Sequence, residues 1–414
     1  MADQRKAHGH TQGIKMPGKL AIHGGTPVRK TIIPYGHQWI DHDDSQAVTD
    51  VLKTDWITQG PKVEEFEHVV SKYCHAKYAV AFSSGTAALH AAAFTAGVSH
   101  GSDVITSPIT FVADGNCVLY LGGTVKFSDI NPDTYNIDPG NIKTTLTSKT
   151  KALIPVDFAG QPCDLDEINT IASDHRIPVI EDAAHSLGAE YKGKQIGGLA
   201  DFTVFSFHPV KAITTGEGGM VLTNYEEFYE QLLMFRTHGI TKDPRKLKRN
   251  EGAWYYEMQE LGFNYRLTDL QCALGISQFK KLGTFIKRRR AIALQYNNAF
   301  SELQEITIPY EKKDVRSAYH IYVIQLQLER LTCDRKTIFG ALRAENIGVQ
   351  VHYIPVHYQP YYQQNLGYKK GNFPFAERYY ERALTLPLFP RMTDGDVEDV
   401  IEAVQKVISY YRRD

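Results

Sequence analysis

The chain has 414 residues, 43% of them hydrophobic, and a formal net charge of −1. That length supports a large core in about two domains or one elaborate one, and the balanced charge offers no broad basic field for nucleic acid. Five scattered cysteines without a C-x-x-C pair argue for the reduced thiols of a cytosol and against a disulfide framework or structural zinc, and no apolar run reaches the roughly twenty residues of a membrane span.

Residues 1–32 read as a polar, glycine-containing arm, with HGHTQG in the character of an extension and no apolar core that would make a signal peptide. From about residue 40 to 275, strand and helix patterns alternate. GSDVITSPIT (101–110), GGTVKFSDI (122–130), KALIPVDF (151–158) and RIPVIED (176–182) are spaced for βα units, with helical stretches Leu89–Thr95 and Asp164–Asp174 among them. The alternation predicts an α/β fold whose mainly parallel sheet is sandwiched by helices, with functional groups at strand ends.

Within that region, SSGTAALHAAAFTAG (83–97) is an alanine-rich helix ending at Gly97. Ser83, Ser84, Gly85 and Thr86 stand at its start, where hydroxyls and free N–H groups suit a phosphate; taken alone, such a run is most often a simple cap. Ile177–Ile180 read as a short buried strand with no alternation, as in a parallel sheet covered on both faces. Glu181 and Asp182 follow at its C-terminal end. A buried carboxylate there needs a cationic partner. The protonated ring nitrogen of pyridoxal phosphate meets that need, because the ring draws electrons only while its nitrogen keeps the proton. A plainer role for Asp182, compatible with the first, is the N-cap of a helix over AAHSLG.

The strand Asp201–Phe207 then feeds the loop FSFHPVKAITTGEGG. Lys211 sits there among small, apolar and hydroxyl residues, with Ser206 five positions before it and the glycine-rich turn Gly216–Gly219 after it. Desolvation lets such a lysine lose its proton, and the neutral amine forms a Schiff base with an aldehyde cofactor. An arbitrary lysine beside a turn is usually a surface residue; the carboxylate about thirty residues upstream is what points to chemistry.

LTDLQCALGISQFKKLGTFIKRRRAIALQYNNAFSEL carries apolar residues at helical spacing and predicts one or two long helices leading into a smaller C-terminal domain. Its KRRR run (287–290) reads as one solvated helix face, with a sugar nucleotide's diphosphate as a second use. AYHIYVIQLQ predicts an alternating strand from Tyr319, and Val397–Tyr411 an amphipathic helix. The expected division is an arm over 1–32, a large domain over 33–275 and a small domain over 276–414. Tyr319, His320, Tyr322, His352, Tyr353, His357 and Tyr358 form aromatic and histidine clusters that suit a sugar, whose apolar faces stack on rings while its hydroxyls meet polar tips. No metal site is predicted: the five-residue spacing of His352 and His357 fits neither face of a helix, and no acidic cluster joins them.

Together these stretches closely resemble the DegT-type sugar aminotransferases, a branch of the fold-type I, pyridoxal phosphate-dependent enzymes, from about Ile33 to the C-terminus. Further similar runs are YGHQWIDHDD, WITQGPKVEEFE, SPITFVADGNCVLYLGGTVKFSDINPDTYNIDP, VDFAGQPCDLDEI, LGFNYRLTDLQCALGISQ and GVQVHYIPVHYQPYY. YGHQWIDHDD and SFHPVKAITTGEGG look most like one subgroup, whose members aminate C4 of UDP-linked 4-keto-6-deoxy-N-acetylhexosamines, as in the pseudaminic acid pathway. The resemblance implies a large domain on a mixed, mostly parallel sheet and a smaller C-terminal α/β domain. It also implies L-glutamate as donor.

Residue by residue, the resemblance makes Lys211 the Schiff-base lysine and Asp182 the partner of the pyridine nitrogen. His185 would contact the ring hydroxyl, Phe111 would stack on the ring, and Gly85, Thr86 and Ser206 would hold the phosphate. Asn264 would reach the phosphate of the neighbouring subunit's cofactor, which implies an obligate homodimer with shared active sites. Thr58, Gln59, His320, Tyr322 and Tyr353 would lie along the sugar. Arg266 is divided equally between a diphosphate and an ion pair with Asp269. Some dehydratases of the family carry histidine at the Schiff-base position, so Lys211 favours transamination. Asp157 stands where many relatives have histidine, although the subgroup shows aspartate there. The alternatives are a GDP- or dTDP-linked keto sugar aminated at C3 or C4, and a non-catalytic relative of the same fold. Lys211 together with Asp182 argues against the last.

Overall fold

The structure, a computed structural model, describes residues 19–413, so the HGHTQG stretch lies outside the described residues. Seven strands form the central sheet: β1 (Tyr78–Phe82), β2 (Asp103–Thr106), β3 (Thr124–Phe127), β4 (Thr150–Ile154), β5 (Ile180–Asp182), β6 (Phe202–Ser206) and β7 (Gly219–Thr223). Their order is β3-β2-β4-β5-β6-β7-β1, with β4 joined to β5 by parallel bridges at Leu153–Val179 and Val156–Asp182. All run parallel except β7, which is antiparallel to both neighbours.

Helices cover both faces: α1 (His42–Val51), α2 (Pro61–Tyr73), α3 (Gly85–Thr95), α4 (Ala113–Tyr120), α5 (Leu165–His175), α6 (Glu226–Arg236) and α7 (Asp269–Phe279). Successive strand side chains enter opposite cores. Ala79, Ala81, Ile105, Leu153, Phe205 and Met220 pack with Phe66 of α2, Ile168 of α5 and Cys272 of α7. Val80, Phe82, Val104, Ala152, Val204 and Val221 pack with Ala91 of α3, Val118 of α4 and Phe235 of α6. Both faces are covered by packed side chains, which is why the inner strands read as apolar runs without alternation, while the edge strand β3 alternates.

Two local readings change. β5 starts at Ile180 rather than Ile177, so Glu181 and Asp182 are its last two residues and point to opposite faces. AAHSLG forms no helix; it is a turn, in which the Ala184 N–H donates to Asp182 Oδ1 at 2.9 Å. Asp182 thus caps a turn, as short acidic side chains do.

The C-terminal part builds a three-stranded antiparallel sheet, β8 (Ile306–Thr307), β9 (Tyr322–Leu326) and β10 (Ala383–Leu386), in that order. α8 (Leu282–Phe300), α9 (Arg335–Ala344) and α10 (Asp394–Tyr411) surround it. β9 begins at Tyr322, not Tyr319, and is buried on both faces, so the expected alternation is absent. The division expected after residue 275 falls inside α7. The described end of the arm packs on the small domain: Leu20 and Ile33 enter its core, and the Ala21 and Val28 N–H groups donate to Glu345.

The KRRR run is not one solvated face. Arg288 donates to the Met392 carbonyl and to Asp394, and Arg290 donates to Glu311. Arg289 is 2% exposed and donates to the carbonyls of His320 (2.9 Å) and Leu388 (3.0 Å). A guanidinium can be buried this way because its fixed fork reaches several carbonyls at once.

Candidate active site

A cavity of about 440 Å³ opens where the C-terminal ends of the parallel strands face the small domain. Each strand end delivers part of it. The turn after β1 brings Ser84, Gly85 and Thr86; the segment after β2 brings Thr110, Phe111 and Asp114. β5 and its turn bring Asp182 and His185, and β6 with the loop to β7 brings Ser206 and Lys211. The small domain and the chain before α1 close the far wall with Tyr35, His320, His352 and Tyr353.

The start of α3 is shaped for an anion. Ser84 caps the helix by accepting from the Ala87 N–H at 3.1 Å. The first N–H groups of a helix have no partner within it, and the residues that carry them, Gly85 and Thr86, line the cavity. Ser206 closes over them: a Cβ on Gly85 would stand 2.9 Å from the Ser206 Cβ, so only glycine permits this approach. Lys211 is presented by the loop between β6 and β7, which is closed by the Phe207 N–H to the Gly218 carbonyl and the Thr215 N–H to the Phe207 carbonyl.

Burial pushes the Lys211 amine down to about 8, with Asp182 and Asp114 pulling it back up. Burial raises the Asp182 carboxyl, which the Ala184 N–H, Lys211 and Asp114 counteract. Burial pushes His185 and His320 well below the ordinary imidazole range, so both rings are neutral. The two rings lie 4.2 Å apart between centroids. His185 Nε2 meets the Tyr353 hydroxyl at 3.1 Å, while its buried Nδ1 has no hydrogen-bond partner among the described residues. Such an orphan costs about 1–3 kcal/mol unless a ligand satisfies it.

Pyridoxal phosphate fits these residues. The anion cradle at α3, a buried carboxylate, an aromatic ring at Phe111, a depressed lysine and the orphaned His185 Nδ1 together match its phosphate, ring nitrogen, ring face, aldehyde and hydroxyl.

Of the residues expected at the site, Gly85, Thr86, Phe111, Asp182, His185, Ser206, Lys211, His320 and Tyr353 are brought together. Thr58, Gln59 and Asn264 stand exposed outside the cavity lining, and Arg266 is half-buried outside it. The Arg266–Asp269 ion pair does not form; Asp269 instead accepts from the Gly60 and Lys62 N–H groups at 2.6 and 2.9 Å and pins the WITQG segment to α7. Tyr322 is corrected from a substrate contact to a core residue. It is fully buried against Tyr296, and its hydroxyl donates to Asn297 Oδ1 at 2.7 Å. Its place on β9 turns it into the small-domain core, whereas His320, just before the strand, reaches the cavity. His357 likewise faces away, paired with Glu377 at 3.0 Å.

Sequence reasoning passed over Tyr35 and Asp114. Asp114 lies three residues after Phe111, one helical turn along, and that spacing was the available signal. Asp157 is buried, accepts from the Ser186 hydroxyl at 2.6 Å and the Cys163 N–H at 2.8 Å, and is raised by burial to about 6.

The profile of the DegT/DnrJ/EryC1/StrS aminotransferase family matches residues 38–405. An uncharacterised protein of Methanocaldococcus jannaschii is 45% identical over 385 residues, 93% of this chain and 100% of that protein. A UDP-4-amino-4,6-dideoxy-N-acetyl-beta-L-altrosamine transaminase of Campylobacter jejuni is 38% identical over 92% of this chain and 99% of its own. Among solved structures, Helicobacter pylori PseC, an aminotransferase of pseudaminic acid biosynthesis, superposes with a TM-score of 0.85 at 32% identity, covering 92% of this chain and 100% of PseC. The Streptococcus pneumoniae protein Spr1654 in its PLP-form gives 0.85 at 31% identity over 91% and 98% of the two chains, and it is also known in a PMP-form.

Proposed function

The chain belongs to the DegT/DnrJ/EryC1/StrS aminotransferase family and is a pyridoxal phosphate-dependent sugar aminotransferase, and from that premise we propose that it moves the amino group of L-glutamate to C4 of a UDP-linked 4-keto-6-deoxy-N-acetylhexosamine. The observation that carries the reading is Lys211, a depressed amine sharing one cavity with the buried carboxylate Asp182 and facing His320 and Tyr353 of the small domain. That combination serves transamination of a bulky ketone better than binding alone.

When bound, pyridoxal phosphate supplies a carbonyl carbon that carries the amino group and a ring that draws electrons from it. The protein's residues do the rest. Gly85, Thr86 and Ser206 hold the phosphate with N–H and hydroxyl donors. Asp182 stays anionic toward the ring nitrogen and keeps its proton in place. His185, neutral, reaches the ring hydroxyl through Nδ1, its tautomer set by the Tyr353 hydroxyl at Nε2. Phe111 covers one face. The Lys211 Nζ takes a proton from the donor's Cα and returns one to what becomes the sugar's C4, as a general base and acid near neutral pKa. Each turnover converts glutamate to 2-oxoglutarate and ketone to amine, so no outside oxidant or reductant is needed.

The active unit is a homodimer in the cytoplasm. Asn264 is exposed, and the segments carrying Trp56, Ile57 and Leu261 present large apolar side chains to the surface, which suits a subunit that lends these residues to its partner's site. Thr58, Gln59 and Arg266 serve the sugar nucleotide there. Five unpaired cysteines suit the cytoplasm, and no helix among the described residues is long and apolar enough to cross a membrane.

The test is purified enzyme with glutamate and a panel of UDP-, dTDP- and GDP-linked 4-keto and 3-keto sugars, following 2-oxoglutarate. The UDP-linked 4-keto N-acetyl sugar is expected to have the highest kcat/KM. A higher value for any 3-keto or non-UDP sugar overturns the assignment.

A further inference from the structure

Asp114 has no part in the chemistry above, yet it lines the same cavity as Asp182 and Lys211. It stands in the first turn of α4 and is 0% exposed. Its Oδ2 accepts a hydrogen bond from the Thr110 hydroxyl, and its Oδ1, also buried, has no donor from any described residue. The other buried carboxyl lining this cavity is Asp182, itself an acceptor. Two buried acceptors cannot face each other without a proton between them, because neither repulsion nor desolvation is relieved otherwise.

We propose that Asp114 is a positioning residue that keeps its proton at neutral pH and donates it from Oδ1 to the Asp182 carboxylate, holding that carboxylate in place and setting its basicity. The inference rests on the reading of Asp182 as the group facing the ring nitrogen. The arrangement divides two neighbouring carboxyls into one acid and one anion. Asp182 already accepts from the Ala184 N–H on Oδ1, so a second donor from Asp114 clamps it from the side of α4. The direction of the proton follows from the surroundings. Burial and the nearby Asp182 push Asp114 well above the ordinary carboxyl range, whereas Asp182 is pulled back by the Ala184 N–H, Lys211 and Asp114. The titratable groups facing Asp114 are Asp182 from β5, Lys211 from the β6–β7 loop, Tyr353 and Tyr362 from the C-terminal part, and Cys117 on its own helix. Only Lys211 brings positive charge.

Asparagine at 114 reproduces the geometry, with an amide oxygen for Thr110 and an N–H for Asp182, and never ionises. The first experiment follows melting of cofactor-free wild type and Asp114→Asn from pH 5 to 8. Asp114 has a folded pKa above its unfolded value of about 3.9, so its contribution is complete below that value and is lost as pH rises toward the folded one. The Asp114→Asn protein is therefore expected to gain melting temperature relative to wild type progressively with pH. The second compares loaded enzymes. Asp114→Asn should keep kcat within about threefold, while Asp114→Val should lose about tenfold or more in kcat with a smaller change in the glutamate KM, the scale seen when outer partners of site groups are removed. Borohydride fixation of cofactor on wild-type Lys211, measured alongside, reports on the cofactor reading separately. A melting difference that stays flat with pH, or equal kcat losses in the asparagine and valine variants, overturns the proposal.

Discussion

The amine of Lys211 offers a quantitative test. Burial takes it from 10.5 to about 8. At pH 7 a lysine of 10.5 is neutral in about one molecule in 3,000, and one of about 8 in about one in eleven, a gain of roughly 300-fold in reactive amine. Covalent capture of pyridoxal phosphate by cofactor-free protein should therefore accelerate about tenfold per pH unit below 8 and level off above it. Rapid mixing across pH 6 to 10, a borohydride quench and quantification of the labelled Lys211 peptide give the profile. Asp182 is the larger of the two influences that raise the amine, so Asp182→Asn should move the midpoint lower. The same group affects stability: its folded value is depressed, so its contribution is complete above 10.5 and is lost as pH falls through about 8. A midpoint near 10.5, or an upward move in Asp182→Asn, would refute the desolvation argument.

Three further substitutions probe the scaffold. Gly85→Ala places a Cβ 2.9 Å from that of Ser206, so it should weaken cofactor binding by about tenfold or more while the cofactor-free protein melts within a few degrees of wild type; equilibrium titration of cofactor absorbance measures it. Arg289→Met leaves the His320 and Leu388 carbonyls without their buried donor and should lower the unfolding free energy by roughly 3 kcal/mol in urea, against no change if the side chain were a solvated one. Tyr322→Phe loses one hydrogen bond to Asn297, about 1 kcal/mol, and should leave the sugar KM unchanged; a raised KM would return Tyr322 to the substrate wall.

Much of the sheet and of the cofactor face of the site was legible in the sequence. Apolar runs mark strands because both faces of this sheet are covered, and ligand groups gather at the ends of parallel strands. Ser84, Gly85, Asp182, Ser206 and Lys211 each sit within a few residues of such an end, so local spacing was enough to find them. The small domain was less legible. Tyr322 and His320 are two residues apart and equally suited to a sugar, yet one is core and the other lines the cavity. Arg289 carries the signature of a surface cation until its three-dimensional neighbours turn out to be carbonyls.

Chemistry that depends on near neighbours is written in the local order of residues: an α/β sheet, a helix whose N-terminus takes an anion, a carboxylate closing a strand, and a lysine on a glycine-flanked loop. Which distant groups complete it depends on how remote segments pack together. His320 and Tyr353 reach the cavity because the small domain folds back over the strand ends, and Asp114 shares it with Asp182 because α4 begins and β5 ends there. Hydrogen bonding and desolvation act over a few ångströms of space regardless of the distance along the chain, and spacing in sequence carries no record of that approach.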